Sequence, residues 1–217
     1  LISLFGDVDG IDEIVPYGSK RPDIDCWLPM LSLPHVLGLK RDAYPAAPYI
    51  SHHDRPVSHA GRPLRIGISW TGNPASKNNH LRTSTFEDFL PLIRLDGVRI
   101  VSLQKDVPAD FFTAKGLGEN IENPMPDVGD FADTAGIIAG LDLVVTVDNV
   151  IAHLAGAMGC PVQVMLPSLP DWRWGMTSSE SFWYPSMRLY RENRQTGWEP
   201  AFRAMLEDVK SRLSGSS

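Results

Sequence analysis

Cysteine is scarce in this chain of 217 residues: Cys26 and Cys160 are the two present, and neither has metal-site or redox spacing. Cys160 is expected to be a small buried hydrophobe at the start of a strand. Long apolar runs are missing, for none approaches the ~20 residues of a membrane-spanning helix. No secretory leader is visible either, and the chain reads as cytoplasmic. Basic character is lacking: the formal net charge is −6. That speaks against a nucleic-acid surface as the main partner, though a local pocket can still hold a phosphate. Repeats and low-complexity tracts are absent. No metal-ligand cluster shows, since His52-His53 has no matching ligands nearby, so a metal-free site without cofactor is expected. What remains is 43% hydrophobic, ordinary for a globular protein, and long enough for one large or two small domains. The chain begins at Leu1 inside a helix-like run, Leu1–Phe5, and a further upstream portion is expected.

The most informative stretch runs from Leu141 to Pro161. It reads as a buried strand, the polar corner Asp148-Asn149, and a short helix of small residues. Asp-Asn after an apolar run is how a strand stops and a helix is capped. Gly159 supplies the C-terminal turn and Pro161 prevents continuation. Ala152, Ala155, Gly156 and Ala157 let the helix lie close to a sheet. Free N–H groups at such a helix start suit an anion, above all a phosphate.

Residues 1–60 read as a short α/β piece with expected strands at Ile11–Tyr17 and Asp25–Met30 and a helix at Leu33–Leu37. Tyr44 to Arg62 looks like a linker. From Leu64 the alternation becomes regular. Strands are expected at 64–70, 98–103, 142–147, 162–166 and 187–190, with a short one at 119–122. Helices are expected at 85–95, 109–115, 130–140, 149–158 and 199–213, and Gly215-Ser216-Ser217 as a frayed tail. Such alternation indicates an α/β fold, a Rossmann-like parallel sheet with helices on both faces. The resulting domains are 1–60 and 61–217.

In a parallel sheet the strand ends share one edge, where open α/β folds bind ligands. Ser69, Thr71, Gly72 and Asn73 follow the first strand, with Lys77 and Arg82 close behind. Gln104 and Lys105 follow the second, and Asp148, Asn149, Val150 and His153 the fourth. Backbone N–H groups with Lys or Arg suit a diphosphate. Each residue alone has a plainer reading. Lys77 can be a surface lysine, and Arg82 can cover a helix. His153 can be a core histidine bonded to a backbone carbonyl, or a donor to a phosphate or hydroxyl. Asp148 can cap the helix, or hold backbone amides or a sugar hydroxyl. The aromatic stretch Asp171–Gly175 with Phe182–Pro185 closes the sheet edge or walls the cleft, and the structural reading is preferred.

Residues 63–213 resemble the sugar-nucleotide-binding, C-terminal half of a GT-B glycosyltransferase. The nearest type is heptosyltransferase-like, particularly bacterial domains that follow tetratricopeptide repeats. The resemblance rests on Ile68–Pro74, Val101–Lys105, Asp130–Ala135, Leu141–Pro161 and Pro170–Trp174, in that order. Residues 1–60 resemble the latter part of the family's N-terminal, acceptor-side domain. The resemblance implies a nucleotide-diphosphate sugar in the crevice and an acceptor that is a glycan, lipid or protein. Asp148, Asn149, Val150 and His153 match the diphosphate and sugar corner. Ser69 to Asn73 and Lys77 match the first loop, and Gln104 and Lys105 the loop near the nucleoside. It further implies metal-independent, inverting transfer and an upstream repeat domain. The sequence departs at Asn149-Val150, where relatives carry Thr or Ser and a small residue. The family's Gly-Asp loop, whose Asp is the proposed base, has no match: Gly6-Asp7 aligns with a later turn. No catalytic residue is therefore assigned.

Three readings follow. The first is the greater part of an inverting glycosyltransferase. The second is a binding or regulatory module that keeps the crevice but lacks catalysis. A nucleotide-sugar epimerase is third, and its need for carboxylates around the anomeric carbon is poorly met.

Overall fold

Short apolar runs bounded by polar corners form a sheet here because each strand is covered on both faces. The computed structural model describes residues 1–6, 8, 10–40, 47–50, 62–77 and 79–215. Six strands, β1 (Leu64–Ser69), β2 (Val98–Ser102), β3 (Ile121–Glu122), β4 (Leu143–Val147), β5 (Val162–Leu166) and β6 (Met187–Arg191), form one sheet in the order β3-β2-β1-β4-β5-β6. Every pairing within it is parallel. Ile66 lies opposite Ile100 of β2 and Leu143 of β4, which fixes β1 at the centre. The chain leaves β1 toward β2 on one side and reaches β4 on the other. That reversal opens a crevice at the carboxyl ends of β1 and β4. The expected Rossmann-like α/β sheet is therefore present.

The helices are α1 (Ile2–Phe5), α2 (Leu33–Val36), α3 (Asn79–Arg82), α4 (Leu90–Ile93), α5 (Phe111–Ala114), α6 (Phe131–Ala139), α7 (Val150–Ala157) and α8 (Glu199–Gly215). Two cores flank the sheet. Val144, Val162, Val164 and Leu166 point to one, with Ala135 and Ile138 of α6 and Ala152 and Ala155 of α7. Leu143, Val145, Val147 and Met165 point to the other, with Phe89, Leu92, and Met205 and Val209 of α8. This alternation along fully buried strands is how a parallel sheet feeds helices on both faces. Residues 85–95 form a short 3-10 turn, Phe86–Phe89, and then α4, because Pro91 interrupts the ladder. Thr85 and Asp88 close a capping box at its start, and Asp130 and Asp133 close another at α6.

The N-terminal piece differs from expectation. Residues 11–17 and 25–29 form no strand, and α2 follows a 3-10 turn at Met30–Ser32. Pro16, Pro22 and Pro29 remove ladder donors, and no partner strand lies alongside among the described residues. Trp27, Met30 and Leu31 are consequently exposed. Leu4 and Phe5 of α1 pack against the α6–α7 core, and Ser3 Oγ donates to Asp130 at 2.7 Å. Most of the expected linker Tyr44–Arg62, including His52 and His53, lies outside the described residues, as do Asp7 of the Gly6–Gly10 turn, and Ser216 and Ser217. Within 47–50, the Tyr49 and Ile50 N–H groups donate to Ala157 O at 2.9 and 3.2 Å. Beyond it, Arg62 forms a two-point pair with Asp142 at 3.0 and 3.1 Å, which also accepts from Arg65 N at 2.7 Å.

Candidate functional site

The crevice is a cleft of about 1100 Å³ over the carboxyl ends of β1, β2 and β4. Ser69, Thr71, Gly72, Asn73, Arg82, Gln104, Lys105, Asp148, Asn149, Val150 and His153 all line it. Lys77 does not; it is exposed beyond the loop that follows β1. Eleven expected residues thus converge, but they divide into scaffold and open groups.

Gln104 is scaffold. Its Oε1 accepts from Ser69 Oγ (3.2 Å), Trp70 N (3.1 Å) and Thr71 N (3.0 Å), while its Nε2 donates to Lys105 O (3.3 Å). It holds the end of β1 against the end of β2. The resemblance places the Gln104-Lys105 loop near a nucleoside; within that loop the Gln104 amide ties the strand ends together. Asn149 is scaffold as well. Its Oδ1 accepts from Ile151 N (3.0 Å) and Ala152 N (3.4 Å), which caps α7, and from Thr146 Oγ1 (3.1 Å). Its Nδ2 donates to Ser69 Oγ (3.0 Å) and Thr71 O (3.2 Å). The cap of α7 is therefore Asn149 and not Asp148. Asn149 has the extended backbone of a cap residue, φ −149°. The loop after β1 is set in turn by Asn79, which accepts from Gly72 N at 3.1 Å and donates to Thr71 Oγ1 at 3.1 Å. A Cβ on Gly72 would lie 2.8 Å from Asn79 Oδ1, so a side chain here would displace the amide that sets the turn.

The open groups are charged. Asp148 is 4% exposed and faces Arg82, with Nη1 to Oδ2 at 3.7 Å. Arg82 Nη2 also donates to Ser76 Oγ at 3.3 Å, and its buried Nε has no partner among the described residues. Val150, the first residue of α7, is exposed at the helix start, and its N–H has no partner among the described residues. Lys105 is exposed at the rim. Toward the β2 side the wall turns apolar, with Trp70, Phe111, Met125 and Val128. Among the described residues no three His, Cys, Asp or Glu side chains gather as a metal site would require.

His153 does not make the backbone-carbonyl bond of its plainer reading. Its Nδ1 meets the Tyr184 hydroxyl at 3.0 Å and not a backbone carbonyl. Its ring stacks on Trp174, with centroids 5.0 Å apart at 22°. Burial pushes its pKa down; Asp148 opposes that, and Arg173 adds to it. Burial and the neighbouring Tyr49 hydroxyl push the Tyr184 phenol up.

The residue missed is Arg173. Its side chain lines the cleft, held by Asp171 Oδ1 at 2.8 Å and lying over the Trp172 ring at 5.0 Å. The aromatic stretch thus does both things considered for it. Trp174 is buried at the sheet edge, while Arg173 walls the cleft. The signal was the alternation Trp172-Arg173-Trp174, one cation between two indoles.

This geometry matches a known class of fold. A solved structure, the ADP-heptose lps heptosyltransferase II of E. coli, superposes with a TM-score of 0.51 at 14% identity, covering 72% of this chain and 48% of that one. The chain carries the GT-B-type, Rossmann-like α/β fold of that glycosyltransferase. Protein FlbA of Caulobacter vibrioides is 29% identical over 198 residues, covering 85% of this chain and 33% of FlbA. The chain spans about a third of the length of that curated relative. No family model matches. No helix among the described residues is long and apolar enough to cross a membrane.

Proposed function

We propose that the cleft binds a nucleotide-diphosphate sugar, and that this part of the protein serves metal-independent, inverting glycosyl transfer. One observation carries the reading: the capped start of α7 shares one cleft with two arginines, Arg82 and Arg173. A diphosphate there meets the Val150 N–H, the positive end of the helix and two guanidinium groups. The apolar wall beside Lys105 suits a nucleoside. In transfer, an acceptor hydroxyl loses its proton to a base as its oxygen bonds the anomeric carbon. The bond from that carbon to the diphosphate breaks on the opposite side. The arginines and helix take up the negative charge that the departing diphosphate gains.

The base belongs to the acceptor side in this reading. Of the carboxylates lining the cleft, Asp148 faces Arg82 and Asp130 caps α6. Asp106 is exposed in the turn after β2. The proposal includes a cytoplasmic setting, an acceptor hydroxyl on a glycan, lipid or protein, and a tetratricopeptide-repeat unit in the same gene product. Calorimetric titration with ADP, UDP and GDP, and with their sugar conjugates in EDTA, tests it. Saturable binding of at least one is expected, and no binding of any at millimolar levels overturns it.

A second reading has its own observation. Two of the three cleft carboxylates are already engaged, which fits a module that binds a sugar nucleotide without turning it over. Release of nucleoside diphosphate by this 217-residue chain, with an acceptor present, excludes that reading.

A further inference from the structure

Beside the cleft lies a second cavity of about 650 Å³. Pockets that hold small ligands span ~300–1,000 Å³. The segment between β5 and β6 builds it, and Leu39 of the N-terminal piece adds to its lining. Arg173 lines both cavities. Three rings form an aromatic wall: Trp172 and Phe182 each meet Trp183 edge to face, with centroids 6.1 and 5.0 Å apart. Trp172 is 66% exposed even though the Arg173 guanidinium lies over its ring. Contiguous exposed rings with polar neighbours mark a binding surface. The segment is also held firmly. Arg191 of β6 donates to Trp174 O (2.9 Å), Gly175 O (3.1 Å) and Ser178 O (2.9 Å). Gly175 turns the chain at φ 61°, ψ −173°, a backbone that suits glycine alone. Ser178 Oγ accepts from Glu180 N and donates to Glu180 O, both at 2.9 Å. A pocket set before its ligand arrives loses less freedom on binding.

The chemistry of the lining selects among ligands. A cation is disfavoured, for Arg173 already sits over the Trp172 ring. An anion meets the Glu180 carboxylate, and Arg173 is paired with Asp171 at 2.8 Å. An acyl chain would cover Thr177 and Glu180, whose polar groups would lose water without a replacement. A pyranose suits the whole lining. Its C–H face lies against the negative face of an aromatic ring. Its hydroxyls suit the Glu180 carboxylate and the Thr177 hydroxyl.

We infer that this pocket is a sugar-binding subsite that stacks a pyranose ring of the acceptor on Trp172, so that the acceptor is a glycan lying across Arg173 from the donor cleft. The acceptor role rests on the function proposed above; the sugar-binding role does not. Lipid and protein acceptors then enter only through a sugar that they carry.

Saturation-transfer NMR tests it with the methyl glycosides of glucose, galactose, mannose and N-acetylglucosamine. Each is titrated alone and with a saturating amount of whichever of ADP, UDP and GDP binds. At least one glycoside is expected to bind the wild-type chain at millimolar levels, with the same affinity when the nucleotide fills the cleft. Trp172→Ala is expected to weaken that binding about tenfold, and Trp172→Phe, which keeps a ring, much less. Glu180→Ala, at an exposed position, is expected to weaken it about three- to tenfold, and decides the matter should Trp172→Ala fold poorly. Binding of no glycoside, displacement of the glycoside by the nucleotide, or binding unchanged in both Ala variants overturns the inference. Choline bound in place of every glycoside overturns it too and makes the site a cation pocket. If ADP, UDP and GDP all fail to bind, the function proposal falls and takes the acceptor role with it, while the glycosides still decide whether the pocket holds a sugar. If a nucleotide binds and no glycoside does, the function proposal stands and this inference falls.

Discussion

Asn149 Nδ2 donates to Ser69 Oγ at 3.0 Å, although 80 residues separate the two in sequence. The same side chain caps α7 through Oδ1. One amide thus joins the ends of β1 and β4 to the helix that starts between them. Replacing it by Thr keeps an oxygen for the cap but removes the two Nδ2 bonds. Asn149→Thr is expected to cost about 1 kcal/mol. Asn149→Ala loses cap and tie together, about 2–3 kcal/mol. Urea unfolding of both variants checks the difference: an Asn149→Thr as stable as the wild type would show that the tie contributes nothing, and equal losses that the cap does not.

Gln104 serves three donors with one buried oxygen. Gln104→Leu leaves those donors without a partner and is expected to cost about 2–3 kcal/mol. Hydrogen exchange at the Trp70 and Thr71 amides rises first if the assignment is right. A loss of nucleotide affinity with unchanged stability would instead make Gln104 a ligand contact.

Gly156→Ala places a methyl group 2.6 Å from Tyr184 Cγ and 2.8 Å from Cδ1. The ring must move, at an expected cost of about 1–3 kcal/mol for overpacking. Helix propensity alone would make Ala stabilising by about 1 kcal/mol, so the sign of the melting-temperature shift separates the two effects.

Arg82→Ala takes away a guanidinium from the cleft and leaves Asp148 facing it without its counter-ion. Binding of ADP is expected to weaken by tenfold or more, on the order of a lost charge-assisted contact plus repulsion. Titration at two salt concentrations checks it: the wild-type affinity falls with salt and the variant's falls less. Lys77→Ala, at a residue outside the cleft, is expected to bind as the wild type does.

His153 contributes a pH dependence whose sign follows from burial. Its folded pKa lies below its ordinary value of 6.5, so the unfolded chain takes up the proton first as pH falls. Its contribution to stability is whole above 6.5, declines as pH drops from there, and levels off below the folded pKa. Urea unfolding of wild type and His153→Gln at about pH 7.5 and about pH 5.5 tests this, the variant lacking that part of the decline.

The central sheet was legible because buried strands and capped helices are written locally, in runs such as Leu143–Val147 and pairs such as Asp130 with Asp133. The N-terminal strands were not, because Ile11–Tyr17 has the apolar character of a strand but no neighbour to pair with among the described residues. At the cleft, sequence could place polar residues at strand ends but not say which way each amide turned. Asp148 and Asn149 are adjacent and both suited to cap. Their backbone geometry, invisible in the order of letters, gave the cap to one and the ion pair to the other. Trp174 and Tyr184 reach His153 from beyond β5, so no spacing within Leu141–Pro161 could announce them.

The sheet ends in edges that offer little to a neighbouring chain. On one side β3 is two residues long. On the other, Ser179 O accepts the Leu189 N–H at 2.8 Å and Glu180 bridges Arg188, so the outer rim of β6 is already engaged by its own loop. Open strand edges are where sheets recruit one another into aggregates. With one rim short and the other stapled, self-association of this sheet through strand addition is disfavoured from both ends.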